Sequence, residues 1–188
     1  MSESLYDIPT NIIQASPYFI PITILLSLLV TEGSVRWPLY FVFFYILFGD
    51  LANYCEKLIM KKMFPTTPEF IRPSPPITGC GVFKDCNANG SKTFGFPSGH
   101  AQITTLAAMF WSLYVYRQTS LSTTHKIIRI SIMWILSILV WYSRVYIGCH
   151  NWIQIFGGVV MGSLFGVLSY FIVEDICGPK KPKNTLKI

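Results

Sequence analysis

The run Phe96-Pro97-Ser98-Gly99-His100, and Ser143-Arg144 followed after five residues by His150, are the segments of this chain best equipped for chemistry. Both histidines stand where a polar loop meets a long apolar stretch, and Arg72-Pro73 lies in the loop upstream. Each residue type suits a phosphate. Arginine stays charged at any relevant pH and grips phosphate oxygens through paired N–H bonds. A helix starting at Gly99 would turn backbone amides and the positive end of its dipole toward the same anion. Ser98 can cap that helix, and Gly99 allows close backbone approach. Of two histidines, a neutral ring can attack phosphorus while a protonated one donates to the leaving oxygen. No carboxylates stand at ligand spacing for magnesium, and no Cys/His spacing fits zinc. The expected chemistry therefore uses no metal and no cofactor. Taken singly, each residue has a plainer role: a lone histidine at a helix end is usually structural, and a lone arginine there anchors to headgroups. Their joint occurrence, in this order, favours a site.

The elements that must position these residues are membrane helices. With 52% hydrophobic and 13% charged residues, the 188-residue chain reads as one membrane-embedded domain, residues 1–188, with its core at about 37–173. Five apolar stretches, about 17–33, 37–60, 98–117, 127–147 and 152–173, approach the roughly 20 residues a bilayer crossing needs. The expected fold is all-α: a polytopic bundle of about five transmembrane helices with one long polar loop, about 62–97. Residues 8–15 are too short to span and suit the interface. Residues 2–7 carry acids rather than a basic region, so no secretory signal peptide is expected. The net charge of +6 forms no stripe on a soluble helix, so nucleic acid is not an expected partner. The expected partners are the bilayer and a lipid substrate within it.

Five spans place the loop 62–97 and the turn at 144–150 on one side. The other side carries Arg36, Arg117, Lys126, Arg129, Lys180, Lys181, Lys183 and Lys187, and positive-inside bias makes it cytoplasmic. The site then faces the lumen of the endoplasmic reticulum or another endomembrane, or the exterior. Cys80 and Cys86 are close enough in sequence for a disulfide, and Asn89-Gly90-Ser91 is a glycosylation sequon; unpaired thiols and a chance sequon fit equally well. Cys55, Cys149 and Cys177 read as small apolar fillers. Gly158, Gly162 and Gly166 line one helix face for close packing. Trp141, Tyr142, Tyr146 and Trp152 suit an interfacial belt.

The two histidine-bearing runs resemble the second and third signature motifs of the type 2 phosphatidic acid phosphatase superfamily, the third in spacing as well as residue type. The resemblance covers about residues 37–173. It implies a helical bundle and a phosphohistidine intermediate, with His150 as nucleophile and His100 as general acid. Arg72, Arg144, Ser98 and the Gly99 amide would hold the phosphoryl oxygens, with Ser143 beside them. Two positions depart from the family pattern. Its first motif is lysine, six residues, then Arg-Pro; here that count leads to Pro65, and Lys62 is the nearest candidate. An aspartate usually follows the nucleophile by four residues, where this chain has Gln154. Its amide oxygen can accept the imidazole N–H and orient His150 without adding charge. Glutamine there, with Trp152, is similar to the dolichyl diphosphatase branch. The family commonly has six spans, against five here. The implied activity is a membrane lipid phosphatase, with a dolichyl or other polyprenyl diphosphate favoured as substrate. Phosphatidic acid or another lipid phosphate is the alternative, a soluble sugar phosphate comes third, and a non-catalytic lipid-binding protein is the rival from another class.

Overall fold

The computed structural model describes residues 36–73 and 94–178. The first expected span, residues 8–15, the loop stretch holding Cys80, Cys86 and Asn89, and the lysine-rich tail lie outside the described residues. One helical run, Arg36–Met63, opens the described part. It comprises α1 (Arg36–Phe44), a π-helical stretch (Tyr45–Leu51) and α2 (Ala52–Met63). In the π stretch the Ala52 N–H bonds Leu47 O, five residues back. That wider turn rotates α2 relative to the path an unbroken α-helix would take. After a short 3-10 turn (Pro68–Phe70) and the loop come α3 (Gly99–Arg117), α4 (Thr123–Tyr146) and α5 (Trp152–Cys177). The fold is all-helical, as expected from the sequence.

Among the described residues, three helices are long and apolar enough to cross a membrane: Arg36–Met63, Thr123–Tyr146 and Trp152–Cys177. α3, expected as a span, is not one of them. It is less apolar than those three, and its place at the centre accommodates that. Every residue from Ala101 to Ala108 is buried, so the neighbours, not lipid, set its environment. Several of its polar side chains are tolerated there because they find partners. Thr105 Oγ1 donates to Ala101 O at 2.6 Å, Thr104 Oγ1 to His100 O at 2.9 Å, and Trp134 Nε1 to Ser112 Oγ at 3.1 Å. The lipid-facing side of α4 carries exposed Ile128, Ile132, Ile135 and Leu139, and that of α5 carries Phe156, Leu164, Leu168 and Phe171.

α3 and α5 meet along the glycine face. A Cβ on Gly158 would strike Ser98 O, one on Gly162 would strike Gln102 O, and one on Gly166 would lie 2.8 Å from Leu106 O. Apolar helices gain little by leaving lipid for each other, so backbone approach of this kind holds them together. It also sets the start of α5 against the start of α3. The opposite end is closed by aromatic packing, with Trp37 and Tyr114 centroids 4.9 Å apart and Phe41 at 4.9 Å from both Phe110 and Trp111. Two expectations need correction. Trp141 is not in the interfacial belt: its Nε1 donates inward to Thr104 Oγ1 at 3.1 Å, leaving Tyr142, Tyr146 and Trp152 exposed. Cys149, in the turn before α5, is disulfide-bonded rather than an apolar filler; Cys55 and Cys177 are free.

Candidate active site

The spacing Arg144-x5-His150 is the end of one helix plus one left-handed turn. The Ile147 N–H still bonds Ser143 O, and Gly148 then takes φ 73°, a backbone region open mainly to glycine. The chain reverses there, so the amides of Cys149 and His150 both donate to Arg144 O, at 3.0 and 3.1 Å. Asn151 follows as the cap of α5, its Oδ1 accepting the Gln154 N–H at 2.9 Å. His150 is thus clamped between two helix ends and is 2% exposed.

One turn into α5, Gln154 Oε1 lies 2.8 Å from His150 Nδ1. The amide cannot face the other way. Its Nε2 donates to Glu69 O at 3.0 Å and Ile71 O at 2.9 Å, and two carbonyls accept only from a donor. The imidazole proton therefore sits on Nδ1, and Nε2 keeps its lone pair. His150 is held well below the ordinary pKa of 6.5, first by burial and then by Arg72, with Lys57 and His100 adding smaller effects; the Gln154 bond opposes them. The ring is neutral at pH 7.

α3 begins beside it. Ser98 donates its N–H to Gln154 O at 2.9 Å, and its Oγ accepts the Ala101 N–H at 3.4 Å. The first amides of any helix lack intrahelical acceptors; here they belong to Gly99 and His100. Ser98, with a hydroxyl proton to donate, is fully buried. Arg72 is brought in by a short strap. Ile71 pairs antiparallel with Phe94, Gly95 N–H donates to Phe70 O at 2.8 Å, and Phe70 stacks on Phe96 at 4.2 Å. Asn151 Nδ2 and Gln154 Nε2 both hold the Glu69 carbonyl, at 2.8 and 3.0 Å. Arg72 is 8% exposed and Arg144 fully buried, so both guanidinium groups lie within the protein.

One expected residue falls elsewhere, and another has its hydroxyl proton engaged. Lys62 is exposed, and Lys57 is the lysine that acts on His150. A Cβ built on Gly99 would lie 3.8 Å from Lys57 Nζ. Five residues along an α-helix amount to a rotation of about 140° past a full turn, which carries Lys62 away from the side Lys57 occupies. The Ser143 hydroxyl donates to Val140 O at 2.7 Å, directing its proton into its own helix. Sequence reasoning missed Lys57 and Asn151. Lys57 had a signal: Gly49, Asn53 and Lys57 recur every fourth residue along the run 49–57. Asn151 had the ordinary signal of a helix cap. Among the described residues no group of three His, Cys, Asp or Glu is placed to hold a metal ion.

The sequence matches the PAP2 superfamily over residues 37–176. It is 32% identical over 103 residues to dolichyldiphosphatase 1 of Mus musculus, covering 51% of this chain and 43% of that protein. It is 30% identical over 132 residues to dolichyldiphosphatase of Saccharomyces cerevisiae, covering 70% and 52%. It is 27% identical over 105 residues to lipid phosphate phosphatase gamma of Arabidopsis thaliana, covering 55% and 44%. The chain thus spans about half the length of these relatives. No solved structure gives a significant match.

Proposed function

The chain belongs to the PAP2 superfamily, and from that premise we propose that it is an integral membrane phosphatase that hydrolyses a lipid diphosphate through a phosphohistidine. The observation that carries this reading is His150: buried, neutral, with Nδ1 on Gln154 and Nε2 left to attack. In the first step Nε2 forms a bond to phosphorus as the bond to the leaving oxygen breaks, and His100 gives that oxygen a proton. Lys57, Arg72, Arg144, Ser98 and the Gly99 amide spread the charge of the phosphoryl oxygens. In the second step His100 takes a proton from water as its oxygen attacks the phosphohistidine, freeing phosphate and His150. No step needs a metal. A lipid suits the site's place at one end of an apolar bundle, since its tail can stay in the bilayer. The names of the mouse and yeast relatives support a polyprenyl diphosphate, cleaved to the monophosphate. Charge bias supports a site facing the lumen of the endoplasmic reticulum or a related compartment.

Purified protein, assayed for phosphate release with and without EDTA, tests the reading. The panel is a polyprenyl diphosphate, its monophosphate, phosphatidic acid and glucose 6-phosphate. The diphosphate is expected to exceed phosphatidic acid in kcat/KM by about tenfold or more, undiminished by EDTA. The reverse preference would favour a general lipid phosphate phosphatase. Lipid binding with no release from any substrate would favour the non-catalytic reading.

The pH profile is a separate prediction. A base whose pKa is lowered stays deprotonated further into acid, so the nucleophilic form of His150 persists below its ordinary value of 6.5. The acid limb of kcat/KM is expected below pH 6.5. A limb at or above that value would contradict the burial argument.

A further inference from the structure

The most deeply buried polar side chains between α2 and α3 form a chain of amides that the proposed reaction never touches. Asn53 is 5% exposed, one turn before Lys57 on α2, and Gln102, near the start of α3, is fully buried. Gln102 Nε2 donates to Phe48 O at 2.9 Å and, more loosely, to Glu56 Oε1 at 3.4 Å. Both are acceptors, so the orientation of this amide is fixed. Gln102 Oε1 then accepts Asn53 Nδ2 at 2.7 Å, and the same nitrogen lies 3.4 Å from Pro97 O. With its nitrogen committed, Asn53 turns Oδ1 toward the head of α3. A Cβ built on Gly99 would lie 2.9 Å from that oxygen and 3.8 Å from Lys57 Nζ.

Two buried amides bridging these elements need a reason. Leucines there would leave nothing to satisfy, whereas each amide is costly unless every polar atom is partnered. What leucines could not supply is direction. Phe48 lies in the π-helical stretch, so the chain of bonds runs from that irregular turn through Gln102 and Asn53 to the Pro97–Gly99 backbone, beside Lys57. We propose that Asn53, oriented by Gln102, is a positioning residue. It holds α2 and the head of α3 in register so that the Lys57 ammonium and the first amides of α3 meet the same phosphoryl group. The proposal rests on the phosphatase reading of the site.

A double-mutant cycle on the purified full chain tests it, with Asn53→Leu, Lys57→Ala and the pair assayed on the polyprenyl diphosphate. Asn53→Leu is expected to lower kcat about 10–100-fold, with KM changed less than about threefold, since misplacing a charge by a fraction of an ångström weakens the transition state most. In the Lys57→Ala background the same change should cost less than about threefold, because positioning matters only if the positioned group is present. Ser137→Ala, which removes a buried bond from Ser137 Oγ to Thr104 O at 3.2 Å away from the site, calibrates simple loss of stability. Equal losses from Asn53→Leu with and without Lys57 would overturn the proposal. So would a fall in kcat matched by Ser137→Ala at the same drop in Tm. If the unmutated protein releases phosphate from nothing in the panel, the phosphatase reading has failed; if it is active and the cycle is additive, only the positioning role has.

Discussion

Replacing His150 with alanine is expected to cut phosphate release by on the order of 10⁴-fold or more, since the proposed nucleophile is removed. The fold should survive. Among the described residues the His150 side chain makes one hydrogen bond, to Gln154, and the backbone bond from its N–H to Arg144 O persists in alanine. His100→Ala should behave differently. Loss of a general acid costs about 10²–10⁴-fold when the leaving oxygen is a poor leaving group, but a phenolate such as p-nitrophenolate needs little protonation. That variant is therefore expected to recover much of its activity on an aryl phosphate, whereas His150→Ala should be dead on both substrates. Brief reaction with radiolabelled substrate, quenched in base, should leave acid-labile label on the unmutated protein and none on His150→Ala. Turnover of either substrate by His150→Ala would sink the mechanism.

The sequence was legible where a residue's role follows from its neighbours in the chain. The Ser98 cap, the glycine face of α5 and the spacing from Arg144 to His150 are all local, and each is realised in the helices named for it. Legibility failed where partners come from distant backbone. α3 read as one span among equals, yet Gln102, Thr104 and Thr105 make it less apolar than the other long helices, and the partners that accommodate Gln102 and Thr104 lie on neighbouring elements. Lys57 was passed over because fourteen residues, not six, separate it from Arg72. The extra length is taken up by the end of α2 and the 3-10 turn, which bring the strap back to the site. Gln154 was expected to orient His150, yet its need to be an amide could not be foreseen. That need arises from two carbonyls in a loop more than eighty residues away.

Gln154→Glu follows from those carbonyls. Restoring a carboxylate, the usual group at this position in the family, should on simple reasoning help by raising the basicity of His150. The geometry predicts the reverse at neutral pH. One oxygen of the new side chain would accept from His150 Nδ1, but the other would replace Nε2 and face Glu69 O and Ile71 O, now at 3.0 and 2.9 Å from a donor. An ionised carboxylate there has two acceptors in front of it and no donor. Leaving those two bonds unmade costs about 1–3 kcal/mol each, and the strap carrying Arg72 would be released. Burial and the facing carbonyls raise the pKa of the introduced acid, and its protonated form can still donate to one carbonyl while accepting from His150. The variant is therefore expected to lose about 100-fold or more in kcat/KM near pH 8, an amount equivalent to two such bonds, and to regain much of it toward pH 5. His150, whose own pKa is lowered by burial, is less readily protonated there than an ordinary imidazole. Stability should follow the same sign, with Tm falling as pH rises through the pKa of the acid. Gln154→Ala, which has no group to titrate, should be impaired equally at both pH values. The comparison is a pair of pH–rate profiles with matched melting curves. Activity of Gln154→Glu at pH 8 equal to that of the unmutated protein would mean that the carbonyls do not dictate the amide, and that Arg72 is held by other means.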